Sequence, residues 1–132
     1  ETEVLVLHRA SQTPIGVISL SSIDAINHKA EFSIGFVRGQ GTSCTMEALH
    51  FGLKQAFEIL NIRKLIFYVS ANNSHALRFV QHWHIVREGV LTKELLLASG
   101  ETVDLHRYAL FKSDWEASLL QQHLNRLVPL AS

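Results

Sequence analysis

The segment from Glu31 to Val69 constrains the fold of this chain most. Residues Glu31 to Val37 alternate, with Phe32, Ile34 and Phe36 on one face and Glu31, Ser33 and Gly35 on the other, the period of a strand. A loop of small and polar residues, Arg38-Gly39-Gln40-Gly41-Thr42-Ser43, follows. Then Leu49, Leu53, Ala56, Phe57 and Leu60 recur at intervals of three and four, which predicts one amphipathic helix stopping at Asn61. Lys64 to Val69 is a nearly continuous apolar run, the pattern of a central strand buried on both faces. Strand, loop, helix, strand makes a βαβ unit, so the two strands are expected to be parallel with a right-handed crossover.

The flanks extend this unit into a mixed sheet. Val4 to Arg9 and Ile15 to Ile23 read as strands joined by the turn Ser11-Gln12-Thr13-Pro14, an antiparallel hairpin. After the central strand, Asn72-Asn73-Ser74 can cap a second helix carrying Ala76, Leu77, Phe79, Val80 and Trp83. Two more strands are predicted near Ile85 to Leu97 and Thr102 to Phe111, turning at Ser99-Gly100. Ser113-Asp114-Trp115-Glu116 has the spacing of a capping box, opening a last helix that ends before Pro129. The expectation is an α/β (α+β) fold whose sheet is mixed and mostly antiparallel around the parallel unit.

Size and charge narrow the function. With 132 residues, 47% of them apolar, the chain can fill one core, so a single domain over 1–132 is expected. Twelve Lys and Arg balance twelve Asp and Glu, which gives no reason to expect nucleic acid or an anionic membrane as partner. No apolar run approaches the ~20 residues of a membrane span. From Glu1 on there is no basic stretch followed by an apolar core, so no secretory signal is expected. One cysteine, Cys44, cannot form an internal disulfide, in keeping with a reducing, cytoplasmic compartment. Eight histidines invite a metal reading centred on His82-Trp83-His84, but the spacing matches the usual ligand pairs poorly. No metal site is expected.

The small-residue loop is the candidate chemical feature. Unpaired N–H groups at a helix start can hold a phosphate, and small side chains let it approach. The loop is neither a P-loop nor a G-x-G-x-x-G dinucleotide fingerprint. Taken alone, it is equally well a turn whose glycines only permit positive φ.

Order and spacing add more. The phrases Ile15-Gly16-Val17-Ile18-Ser19-Leu20, Ala30-Glu31-Phe32-Ser33-Ile34-Gly35-Phe36 and Arg38-Gly39-Gln40-Gly41 are followed by Glu47-Ala48-Leu49, Gln55-Ala56-Phe57-Glu58, Leu60-Asn61-Ile62-Arg63-Lys64, Asn73-Ser74-His75-Ala76 and Glu88-Gly89-Val90-Leu91. Together they resemble GNAT N-acetyltransferases from about Ile15 to Trp115. The likeness leans to the branch of ribosomal-protein, spermidine and flagellin-sugar acetyltransferases. It implies acetyl-CoA as co-substrate and a primary amine, small or peptidic, that attacks the thioester directly. It also implies that Phe36 and Val37 offer backbone groups to the pantetheine or thioester and that Arg38, Gly39, Gln40, Gly41, Thr42 and Ser43 wrap the pyrophosphate. Asn73 is implied as a hydrogen-bond partner of the pantetheine arm. The resemblance begins after the N-terminal helices of the family, so a natural segment is expected before Glu1, and the uncovered apolar surface leaves room for pairing with another copy.

Departures from the pattern keep a second reading open. The family loop, Q/R-x-x-G-x-G/A, fits from Arg38 with Ser43 in the last place, or from Gln40 with neither glycine place filled. Many relatives carry a Tyr seven residues after the Asn as acid to the leaving thiolate; here that place is Val80, and the Gly-Phe pair after it is His84-Ile85. Glu31 is the candidate base, against the simpler reading of a solvent-facing strand carboxylate. Tyr68 and Tyr108 are the candidate replacement acids, though each is more simply a packed strand aromatic. Cys44, His50 and His82 are weaker candidates, with nothing to place them at a thioester. The two functions to separate are an acetyltransferase and a GNAT-like binding module without turnover.

Overall fold

Why the chain folds as it does shows best at its buried contacts. The computed structural model describes residues 2–7, 14–36, 43–83, 85–117 and 122. Among the described residues the elements run in chain order as β1 (Thr2–Leu7), β2 (Pro14–Asp24), β3 (Lys29–Phe36), α1 (Ser43–Lys54) continued by a π-helical turn (Gln55–Ile59), β4 (Lys64–Ser70), α2 (Ser74–His82), β5 (Val86–Leu96), β6 (Thr102–Phe111) and α3 (Lys112–Ala117). The fold is mixed α/β and mostly antiparallel, with one parallel pair, as the periodicities require. No described helix is long and apolar enough to cross a membrane. Contacts divide the chain into two compact units, Glu1–Leu65 with Phe111–Ser132, and Ile66–Leu110.

In the first unit, β1, β2 and β3 form an antiparallel meander in which Val4 faces Ile18 and Ile18 faces Ile34. Ile18, Leu20, Ala30 and Phe32 form the buried side. A Cβ on Gly52 of α1 would stand 2.7 Å from the Phe32 ring and 3.2 Å from Ile18, so helix and sheet meet at a place where only glycine fits. The β2–β3 turn is an Asx turn: the Asp24 carboxylate accepts from the amides of Ile26 and Asn27 and from the Asn27 side chain. Arg63 ties this turn down, its amide donating to His28 and its guanidinium to the Asn27 carbonyl.

Two expectations in this unit are corrected. The stripe from Leu49 to Leu60 does not close as one face. The amide of Leu60 donates to Gln55, five residues back, and this wider turn leaves Leu60 46% exposed while Ala56 and Phe57 are fully buried. Asn61 does end the helix, in the left-handed region at φ 55°, and its side chain accepts from Lys112 Nζ at 2.9 Å. The capping box at Ser113 is also overturned. Helix α3 begins at Lys112, directly after β6, so Ser113 lies inside it. The Lys112 amide donates to the Arg63 carbonyl, and Trp115 stacks on Phe57 at 5.2 Å with no exposure at all. Packing of the indole, rather than a cap, sets this helix.

In the second unit the strand order is β4-β6-β5, with β5 and β6 antiparallel and β5 outermost. Asn73 caps α2, as its sequence predicts. Gly100 turns the β5–β6 hairpin at φ +90°. That hairpin is irregular. Arg87 faces Tyr108 and Gly89 faces Arg107, so Glu88 and Gly89 together oppose one residue of β6, a bulge. A second irregularity spans Leu91 to Leu95, where Lys93 takes φ 54° and its amide donates to Asp104 Oδ1 at 2.8 Å. The expected burial of β4 on both faces holds for Leu65, Ile66 and Val69 and fails at Tyr68, which is 36% exposed.

Candidate functional site

The residues expected to hold a co-substrate fall in both units. In the first, Phe36 is the last residue of β3, pairing with Gly16 of β2, and Ser43 is the first residue of α1. Val37, Arg38, Gly39, Gln40, Gly41 and Thr42 lie outside the described residues. Sheet end, short segment, helix start is thus the order of the backbone on either side of that loop. A helix start offers backbone N–H groups that have no partner within the helix itself, and no acidic residue stands in the first turn of α1 to oppose an anion. Glu31 sits on β3 opposite Ser21, on the face away from Phe32, and is half-buried. That is less open than a solvent-facing carboxylate.

In the second unit, Asn73 is held on both sides. Its amide donates to the Ser70 carbonyl at 2.9 Å, and its Oδ1 accepts from the Ala76 amide at 3.1 Å. Capping occupies the oxygen of the carboxamide and leaves its NH2 as a donor, the half that a pantetheine carbonyl needs. The neighbouring Ser70 hydroxyl donates to the Asn72 side chain. Val80 is 5% exposed, packed on the inner side of α2, so its place holds an apolar side chain with no proton to give.

Sequence reasoning missed a polar cluster on β4, β5 and β6. Arg107 Nη1 donates to the Tyr68 hydroxyl at 3.3 Å, and Arg107 Nε donates to Glu88 Oε1 at 3.1 Å. The Glu88 hydrogen bond, with the Tyr68 hydroxyl as a second acceptor and the Glu88 charge beside it, holds the guanidinium above its ordinary value. The expectation that Tyr68 is a packed aromatic is therefore corrected: it is half out of the sheet, with a cation at its oxygen. Tyr108 is a packed aromatic, 4% exposed.

The other candidates fall on α1 and α2. His50 is buried in α1, and Cys44 is the second residue of that helix. His82 is on the outer side of α2, edge-on to Trp83 at 4.8 Å. With His75, Arg78, Phe79 and Gln81 these two line a shallow depression of about 590 Å³. His84 lies outside the described residues. Among the described residues no group of three His, Cys, Asp or Glu side chains could hold a metal.

Comparison with known proteins decides the family. The acetyltransferase (GNAT) domain model matches residues 2–85, more than half of the chain. The chain belongs to the GNAT acetyltransferase family. Spermidine N(1)-acetyltransferase of Vibrio cholerae serotype O1 is 28% identical over 111 residues, covering 83% of this chain and 64% of the relative. A solved structure of a mutant spermidine N-acetyltransferase from Vibrio cholerae superposes with a TM-score of 0.76 at 27% identity, over 86% of this chain and 66% of that one. A dodecameric structure of the Vibrio cholerae enzyme gives 0.72 at 28% identity, over 80% and 62%. The chain thus spans less than two thirds of the length of these relatives. GNAT acetyltransferases use acetyl-CoA as co-substrate.

Proposed function

We propose that this chain is the acetyl-CoA-binding part of an N-acetyltransferase that moves an acetyl group to a primary amine by direct attack on the thioester. The observation that carries this reading is Asn73, whose carboxamide oxygen is spent on the cap of α2 while its NH2 is left for the pantetheine arm. The first unit supplies the backbone of Phe36 and Val37 and the Arg38–Ser43 loop ahead of α1 for the thioester and pyrophosphate. Glu31, half-buried on β3, is the base in this reading, taking a proton from the incoming ammonium through water. Catalysis then rests on positioning and on backbone donors aimed at the developing oxyanion.

Among amines, a polyamine is the acceptor we favour, since the relatives named above act on spermidine. An amino sugar or a protein N-terminus is the alternative. The reaction belongs in the cytoplasm, and assembly into a homo-oligomer is part of the same reading, by analogy with the dodecameric relative. One observation favours a second reading, a binding module without turnover: the buried Val80 in place of the phenol.

Calorimetric titration with acetyl-CoA, with CoA alongside, tests the proposal. Micromolar binding that weakens in Asn73→Ala supports the co-substrate assignment. No binding by a folded sample overturns it. Binding with no acetylation of spermidine, an amino sugar or a peptide amine favours the binding module.

A further inference from the structure

We propose that Asp104 is a positioning residue for Asn73, tying the kink of β5 to the turn that carries the Asn73 carboxamide. This rests on the reading of Asn73 as a partner of the pantetheine arm. All the residues involved belong to one unit, Ile66–Leu110.

The kink sets the demand. Leu91 faces Leu105 and Leu95 faces Val103, so Thr92, Lys93 and Glu94 of β5 stand opposite Asp104 alone. A strand with extra residues has to bend them out of the ladder. Lys93 takes φ 54°, a left-handed conformation that is unfavourable for a residue with a Cβ. Its amide donates to Asp104 Oδ1 at 2.8 Å. The half-buried carboxylate thus stands in for a rung of the ladder at the bent residue.

The same residue is tied on its other side. The Asp104 carbonyl accepts from the Ala71 amide at 2.9 Å, just past the end of β4. Ala71 lies in the turn into α2, where the Asn73 amide donates to the Ser70 carbonyl at 2.9 Å and Asn73 Oδ1 accepts from the Ala76 amide at 3.1 Å. One residue of β6 therefore joins β5 through its side chain and the Asn73 turn through its main chain. Without the carboxylate, the Asp104 backbone is freer to shift, and the Ala71 bond shifts with it. A carboxamide that has to meet one carbonyl of a ligand tolerates little of that, about 0.5 Å.

The test measures acetyl-CoA affinity by calorimetry and stability by urea unfolding in the 132-residue protein. Wild type is compared with Asp104→Ala, Asp104→Asn, Asn73→Ala and the double variant of Asp104→Ala with Asn73→Ala. We expect Asp104→Ala to bind acetyl-CoA roughly threefold to tenfold more weakly, the range that one hydrogen bond spans. Asp104→Asn keeps an acceptor oxygen and should bind within about twofold of wild type. In the double variant the Asp104 change should add nothing to the loss from Asn73→Ala, because it acts through that carboxamide, whereas independent losses would add. Asp104→Val, a strand former with no acceptor, takes the place of the alanine variant if that does not fold. Wild-type affinity in the folded Asp104→Ala or Asp104→Val protein overturns the inference. So does Asp104→Asn binding as weakly as Asp104→Ala, and so do losses that add in the double variant. In each of these cases, binding that weakens in Asn73→Ala leaves the Asn73 reading standing. No acetyl-CoA binding by the folded wild type, or binding that Asn73→Ala leaves unchanged, overturns that reading and this inference with it.

Discussion

The two units bury their residues in different ways. The first is built in depth: Leu53, Ala56, Phe57, Leu65 and Trp115 are at most 1% exposed, around a ring stack and a glycine contact. The second is thin. Its outer strand β5 is exposed along nearly its whole length, with Leu96 76% exposed, and its burial is concentrated in Ile66, Val69, Val80, Ile85 and the end of β6. What the second unit has instead is polar organisation, in the Asn73 cap and the Tyr68–Arg107–Glu88 cluster. Depth of packing and density of chemistry are thus separated along the chain. Sites that touch ligands tend to be drawn from the less deeply packed parts of a protein.

That contrast can be broken by substitution. Trp115→Ala should cost most, about 3–5 kcal/mol, because a fully buried indole leaves both a transfer loss and a cavity beside Phe57. Leu96→Ser on β5 should stay within roughly 0.5 kcal/mol, as surface changes do. Urea unfolding followed by circular dichroism measures both, and equal costs would remove the distinction between a deep and a thin unit.

Next in size is Gly52→Ala. The new methyl meets the Phe32 ring at 2.7 Å, and the ring has to shift within a packed core. We expect a loss of about 1–3 kcal/mol from overpacking, against the gain a helical alanine usually brings. Phe32→Leu in the same chain should recover part of it by making room for the methyl. A Gly52→Ala protein as stable as wild type would show that the sheet gives way more easily than the contact implies.

The sequence carried much of this architecture and less of the site. Alternation at Phe32 and Ile34, the apolar run at Leu65 and Ile66, and the Asn73 cap were legible because each is a local rule. The π turn was not: a 3.6-residue period places Leu60 with Leu53 and Phe57, and it takes the Leu60–Gln55 hydrogen bond to turn it outward. The capping box at Ser113 misled because a motif of four residues is weak beside the burial of one indole. Tyr68, Arg107 and Glu88 lie far apart in the chain, and their meeting depends on strand order and on a bulge, neither of which leaves a period in the sequence.

Smaller effects sharpen the polar side of the comparison. Asn73→Ala removes the acceptor for the Ala76 amide and should cost about 1 kcal/mol of stability, with Asn73→Ser recovering most of it. The serine restores the cap but has no NH2. If the carboxamide also serves acetyl-CoA, stability and affinity separate in that variant: near-native unfolding with weakened binding. Recovery of both together would make Asn73 a cap and nothing more.

The smallest effect expected is at the Asp24 turn in the first unit. Its carboxylate accepts the Asn27 amide, then the Asn27 side chain and the Ile26 amide, and Lys29 adds a nearby positive charge. These bonds hold it below its ordinary value of 3.8. A depressed carboxyl contributes stability above its unfolded value and loses it as pH falls through the folded one, so the turn should loosen only in acid. NMR titration of the Asp24 carboxyl should give a midpoint under 3.8, moving back toward it in Asn27→Ala, which removes the side-chain donor but leaves the amide. If the midpoint does not move, the backbone bonds alone hold the charge. If it starts at the ordinary value, the Asx turn is not formed in solution, and the anchoring of Arg63 on Asn27 and His28 loses its support.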